Sequence, residues 1–233
     1  MITYKKMILL NLLTIMLLCM IVSGCNNKKS ANTETVAVQE TASETDNMVT
    51  SSSKGNPDKT SVLEIYKKIL QNEAFFYNED KEETYLSLYQ DHILELNFRH
   101  FAVIDMDADG LPELVLHKMQ DGSSIVMHYY DGYVYGKEYG FRGMKFLKED
   151  GTFDWSNSAF NSGIGKLKFN GANQETIYLA ENDTQDGKEI YRIDKIEVSQ
   201  ADYLTFTANQ DKKEEIVWHE LTIENILTEM KLP

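Results

Sequence analysis

After residue 25 the chain has no cysteine, since both of its cysteines, Cys19 and Cys25, lie near the N-terminus. A disulfide staple, a thiol nucleophile and a cysteine-based zinc site are therefore excluded from the body of the protein. Basic residues are also few, 23 against 37 acidic ones, for a net charge of -14. Such a surface repels a phosphate backbone and offers no clustered Lys and Arg to track one, so nucleic acid is not expected as a partner. The five histidines, His92, His100, His117, His128 and His219, are scattered and lack ligand spacing. There is no Gly-x-Ser-x-Gly nucleophile elbow. Gly163-Ile164-Gly165-Lys166 lacks Walker spacing and continues with Leu167 instead of Ser or Thr, so it reads as a turn entering a strand.

Of long hydrophobic runs there is one, residues 7–22, preceded by Lys5 and Lys6 with no acid before it. A basic start followed by an apolar stretch has the form of an export signal, and the run is short for a membrane-spanning helix. It ends in Val22-Ser23-Gly24-Cys25, which resembles the lipobox of bacterial lipoproteins. The resemblance implies that residues 1–24 are removed and that Cys25 is acylated. The chain would then sit outside the cell, tethered to the outer face of the cytoplasmic membrane; an uncleaved N-terminal anchor is the alternative. Two or three acyl chains on one cysteine hold firmly, whereas a single chain anchors marginally at roughly 0.8 kcal/mol per buried CH₂. Losing Lys5 and Lys6 with the leader takes the net charge to -16.

Residues 25–58 are rich in Asn, Thr, Ser, Glu and Lys, contain no aromatic residue and show no periodicity. They read as a disordered tether with a coil reach of roughly 30 Å. Residues 59–233 are dense in aromatics and aliphatics and are expected to form a single α+β domain. Ser61 and Glu64 fit a capping box, and helical spacing from Val62 through Tyr66, Ile69 and Ala74 to Tyr77 predicts a helix ending near Asn78. A second helix is predicted from Tyr85 to Leu96. Short strand-like runs then follow at 101–104, 114–117, 125–130, 133–137, 144–147, 152–155, 166–169, 176–180 and 190–193. Asp131-Gly132 and Asp150-Gly151 supply hairpin turns between neighbouring runs. An antiparallel meander is expected, then a short helix capped by Ser199, a strand at 216–221 and a closing helix at 222–231.

The densest chemistry is Asp105-Met106-Asp107-Ala108-Asp109-Gly110-Leu111-Pro112-Glu113, between two apolar runs. Calcium takes six to eight hard oxygens at about 2.3 to 2.6 Å. Side-chain oxygens of Asp105, Asp107, Asp109 and Glu113, with the Leu111 carbonyl, form a candidate ligand set. Gly110 permits the turn that returns the later ligands over the ion. An EF-hand would need Glu at position 12, where Leu116 stands, and helices on both sides, which Pro112 disfavours. The spacing Asp-x-Asp-x-Asp-Gly-x-x-Glu between strands resembles the calcium hairpins of FG-GAP and integrin-type propeller repeats. The resemblance covers residues 101–118 and occurs once, so it implies the loop and its ligand roles but not a propeller. The wider pattern, residues 101–114 with Tyr130-Asp131-Gly132-Tyr133 and Lys166-Leu167-Lys168-Phe169-Asn170-Gly171, is similar to uncharacterised surface lipoproteins of Gram-positive anaerobes. No chemistry comes with that likeness.

Trp155 and Trp218, with Tyr129, Tyr130, Tyr133, Tyr135 and Tyr139, form either core or a sugar- or peptide-binding face. Two function classes follow. One is a non-enzymatic surface lipoprotein, a binding or envelope-accessory protein whose extracellular ligand or envelope partner the sequence does not name. The other is a calcium-dependent extracytoplasmic hydrolase acting on cell wall or polysaccharide through a carboxylate pair that sequence cannot select.

Overall fold

A computed structural model of the chain describes residues 57–89, 98–118 and 122–231, all within the unit Ser51–Pro233. The leader, the lipobox with Cys25 and nearly all of the tether lie outside the described residues. The fold is mixed α+β with a β-rich core.

Helix α1, Lys59–Leu70, starts at Asp58, whose carboxylate accepts from the Ser61 N–H at 2.8 Å, so the cap is Asp58 and not Ser61. It also stops earlier than its apolar spacing predicts. Asn72 turns left-handed at φ 62°, a conformation Asn tolerates. The chain then enters strand β1, Phe76–Tyr77, which pairs with β2, Glu83–Thr84. Burying Phe76 against the sheet, at 1% exposure, outweighs prolonging the helix. Of the second expected helix, Leu86–Tyr89 is a 3-10 turn and residues 90–97 lie outside the described residues.

The first sheet continues through β3, His100–Ile104, β4, Glu113–His117, β5, Ser124–Tyr130, and β6, Tyr133–Tyr139, which form the expected antiparallel meander. Its outer strand is β12, His219–Glu220, the only part of the expected run at 216–221 that pairs as a strand. On the other side β1 joins β6 in parallel through a single pair, Tyr77 and Tyr135. The second sheet contains β7, Thr152–Ser156, β8, Asn161–Asn170, β9, Asn173–Gln185, β10, Lys188–Ile193, and β11, Ile196–Val198. Residues 144–147, expected as a strand, make only the bridge from Lys145 to Asp154. Helix α2, Gln200–Asp211, is capped by Ser199 as expected, and the closing helix, expected at 222–231, is α3, Ile223–Glu229, capped by Thr222.

Alternation along the strands gives the first sheet two buried faces. Phe101, Leu114, Leu116, Ile125 and Met127 pack with Val62, Tyr66 and Ile69 of α1 and with Ile226 of α3. Ala102, Ile104, Val115 and Val126 face Phe153, Trp155 and Leu167 of the second sheet. Ile164, Ala180 and Tyr203 form a smaller core beneath α2. The order of layers is helices, sheet, sheet, helix.

Candidate metal centre

The acidic stretch connects β3 to β4, closed below by the pair Ile104 and Glu113. Three short apolar and polar ties hold it. The Tyr66 hydroxyl, fully buried, reaches the Pro112 carbonyl at 3.0 Å and the Met127 carbonyl at 3.3 Å. Met106 is 2% exposed and sits in the core between the sheets. Gly151, at φ +76°, passes so close to the Met106 backbone that a Cβ there would lie 2.1 Å from the Met106 carbonyl oxygen.

Above these ties the aspartates converge. One carboxylate oxygen each from Asp105, Asp107 and Asp109 lies within 4.8 Å of the other two, and all three residues are exposed. Two ligands at about 2.4 Å on opposite sides of an ion are about 4.8 Å apart, so this group could hold a metal ion. Backbone N–H groups keep the carboxylates in place. Asp105 accepts from Asp109 N at 3.1 Å and from Gly110 N at 3.0 Å, and Asp109 accepts from Leu111 N at 2.7 Å. Ala108 at φ 62° and Gly110 at φ 93° give the loop its curl. Leu111 inserts its side chain against the helix-side core, which fixes the position of its main chain.

Glu113 lies outside the group of three. It is 3% exposed, and its Oε2 accepts from Met106 N at 2.7 Å. Burial first, and then Asp107, Asp109 and Asp105, push its carboxyl up to about 9 against the opposing effect of the Met106 N–H. Burial and the neighbouring Asp109 likewise raise Asp107. The neighbouring charges thus oppose the ionisation of Asp107 and Glu113, and a cation beside them reverses that sign.

The histidines are less scattered than the sequence suggests, because β3 and β4 set His100 opposite His117. His117 Nδ1 lies 3.0 Å from Ser124 Oγ, and its ring tilts against Trp218. Among the described residues, however, the aspartate trio is the one group of three or more His, Cys, Asp or Glu ligand atoms. His128 is structural: its Nε2 donates to the Gly171 carbonyl at 2.8 Å, which leaves Nδ1 to accept from Gln174 Nε2 at 3.1 Å. Gln174 also donates to the Val126 carbonyl at 2.8 Å, so this network latches the β8–β9 turn onto the first sheet.

The tertiary structure divides the aromatic residues. Trp155 and Tyr139 are core, at 5% and 8% exposure, and Tyr129 packs on the helix side. Tyr130 and Tyr133 remain about half exposed, at 49% each. Tyr77, Phe75 and Tyr85, which sequence spacing assigns to helices, join them at the surface through ring contacts. The run Phe75-Phe76-Tyr77 is the strand signal that a helical reading of this segment passes over.

Comparison with family models, with curated proteins and with solved structures gives no match to this chain.

Proposed function

We propose that the chain is a lipoprotein held through Cys25 at the outer face of a bacterial cytoplasmic membrane. One calcium ion clips its α+β domain, which serves as a binding or envelope-accessory module without chemistry of its own. The observation that carries the reading is the set of three aspartate oxygens within 4.8 Å of one another, on a hairpin tied down by Tyr66, Met106 and Gly151. Hard oxygens without nitrogen or sulfur suit calcium, whereas zinc prefers His and Cys. Asp105, Asp107 and Asp109 supply side-chain oxygens and Leu111 a main-chain oxygen. Glu113, expected from its spacing as a further ligand, lies outside this set and supports the loop from beneath through Met106 N.

Extracellular calcium modules bind at about 10⁻⁴ to 10⁻³ M. At about a millimolar calcium, a 10⁻⁴ M site adds roughly 1.4 kcal/mol of stability, enough to firm a hairpin. The test has two arms. Melting the purified chain with 2 mM calcium and with chelator should show a higher transition in calcium, and equal transitions would remove the ion from the reading. Expressed in a bacterium fed a labelled fatty acid, wild type should incorporate the label and Cys25→Ala should not; equal incorporation by the two would remove the lipid anchor.

A further inference from the structure

Beyond the metal loop, the surface carries an aromatic ledge. On β6 the side chains of Tyr133 and Tyr135 share a face, and the parallel pair places Tyr77 beside Tyr135. The Tyr77 and Tyr135 rings stack at 5.5 Å and 24°, while Tyr133 meets Tyr77 edge-on at 5.5 Å. Phe75 backs Tyr77, again at 5.5 Å. Burial, followed by the Glu83 charge and Tyr133, pushes the Tyr77 phenol up, so its hydroxyl keeps its proton at neutral pH.

Because β1 holds β6 through one residue pair only, the two strands part beyond it and leave a polar recess of about 100 Å³. Its walls include Tyr135, Asn78, Glu79, Lys81, Asn173 and Gln174. The recess takes water or one small polar substituent. It offers amides, a carboxylate and an ammonium group but no apolar pocket for an aliphatic side chain.

The charges around the ledge select the ligand. Glu79, Asp80, Glu82, Glu83 and Asp131 surround it, all exposed, on a chain of net charge -14, and disfavour an anion. The Tyr135 face on which a ligand cation would stack is already taken by the protein's own Lys81, 5.0 Å over the ring and held there by the Ala172 carbonyl at 2.6 Å. What remains is an uncharged ligand with a flat apolar face and groups that both donate and accept hydrogen bonds. We propose that the ledge of Tyr77, Tyr133 and Tyr135, with the recess beside it, binds a neutral glycan. A sugar ring lies on Tyr133, and a hydroxyl or acetamido substituent enters the recess between Asn78 and Asn173. This inference rests on the binding role proposed above but does not require the cation.

The test is calorimetric titration of the full chain with a β-1,4-glucose hexamer, a β-1,4-N-acetylglucosamine hexamer and an anionic galacturonate hexamer. At least one neutral hexamer should bind wild type, with the galacturonate hexamer silent. Tyr133→Ala should weaken binding at least tenfold, and Tyr133→Phe, which keeps the stacking face, should stay within about threefold. Circular dichroism of each variant shows whether the fold is retained, and Asn173→Ala, on an exposed residue of the recess, provides a second probe that should also lose affinity. Silence from both neutral hexamers, galacturonate binding in preference to them, or equal affinity in wild type, Tyr133→Ala and Asn173→Ala would overturn the inference. An unchanged calcium-dependent melting shift alongside any of these results would show that the glycan inference has failed while the metal reading stands.

Discussion

Gly151→Ala tests the link between the second sheet and the acidic loop. Gly151 has φ +76°, and an added Cβ would meet the Met106 carbonyl oxygen at 2.1 Å and the Met106 carbonyl carbon and Cα at 2.8 Å. Ordinary carbon contacts need about 3.5 Å, so the two backbones must part by roughly 1 Å. The left-handed conformation alone costs an alanine about 1 kcal/mol. Moving Met106 also loosens a side chain that is 2% exposed and stretches the 2.7 Å bond from its N–H to Glu113, which adds about 2 kcal/mol. A total near 3 kcal/mol corresponds to a fall of roughly 6 to 12 °C in a domain of this size. Gly132→Ala is the control, because Gly132 has φ +92° and a Cβ there meets nothing within 4 Å among the described residues. It carries only the conformational cost, a fall of about 2 to 4 °C. Scanning calorimetry with chelator and with calcium measures both variants, and the Gly151 variant should also show a smaller calcium-dependent gain. Equal melting temperatures for the two variants would refute the contact between Gly151 and the loop.

Asp105→Asn combined with Asp109→Asn should abolish the calcium-dependent rise in melting temperature, worth about 1.4 kcal/mol at a millimolar ion for a 10⁻⁴ M site, and retention of the full rise would place the ion elsewhere. Tyr66→Phe leaves the buried Pro112 and Met127 carbonyls without their hydroxyl donor; urea unfolding should register a loss of about 1 to 2 kcal/mol, and a loss below about 0.3 kcal/mol would show that the tie contributes nothing. Burial lowers the folded pKa of His128 below its ordinary 6.5, with Lys81 acting the same way and the Gly171 and Tyr135 carbonyls and Asp109 opposing. The unfolded chain therefore binds more protons, so stability is complete above about pH 6.5 and falls as pH drops through the window beneath it. His128→Gln should flatten that part of the stability curve between pH 5 and 7.5 relative to wild type, and parallel curves would exclude His128 as the source.

What the amino-acid sequence determined by itself is local. Spacing alone was enough to place the acidic loop between two strands, the Asp131-Gly132 turn and the Ser199 cap, because a turn or a cap is decided by a few consecutive residues and their own hydrogen bonds. The apolar strand runs at 101–104 and 114–117 were legible for the same reason. The end of α1, by contrast, depends on the burial of Phe76 beneath a strand far along the chain, and helical periodicity misleads there. The division of the strands into two sheets, the burial of Glu113 under the loop and the survival of Tyr133 at the surface while Tyr139 became core were decided only by tertiary structure. Each turns on which layer lies across the sheet face at that point. Identical side chains in one strand meet protein at one end and solvent at the other, and that difference is set by packing between segments distant in sequence.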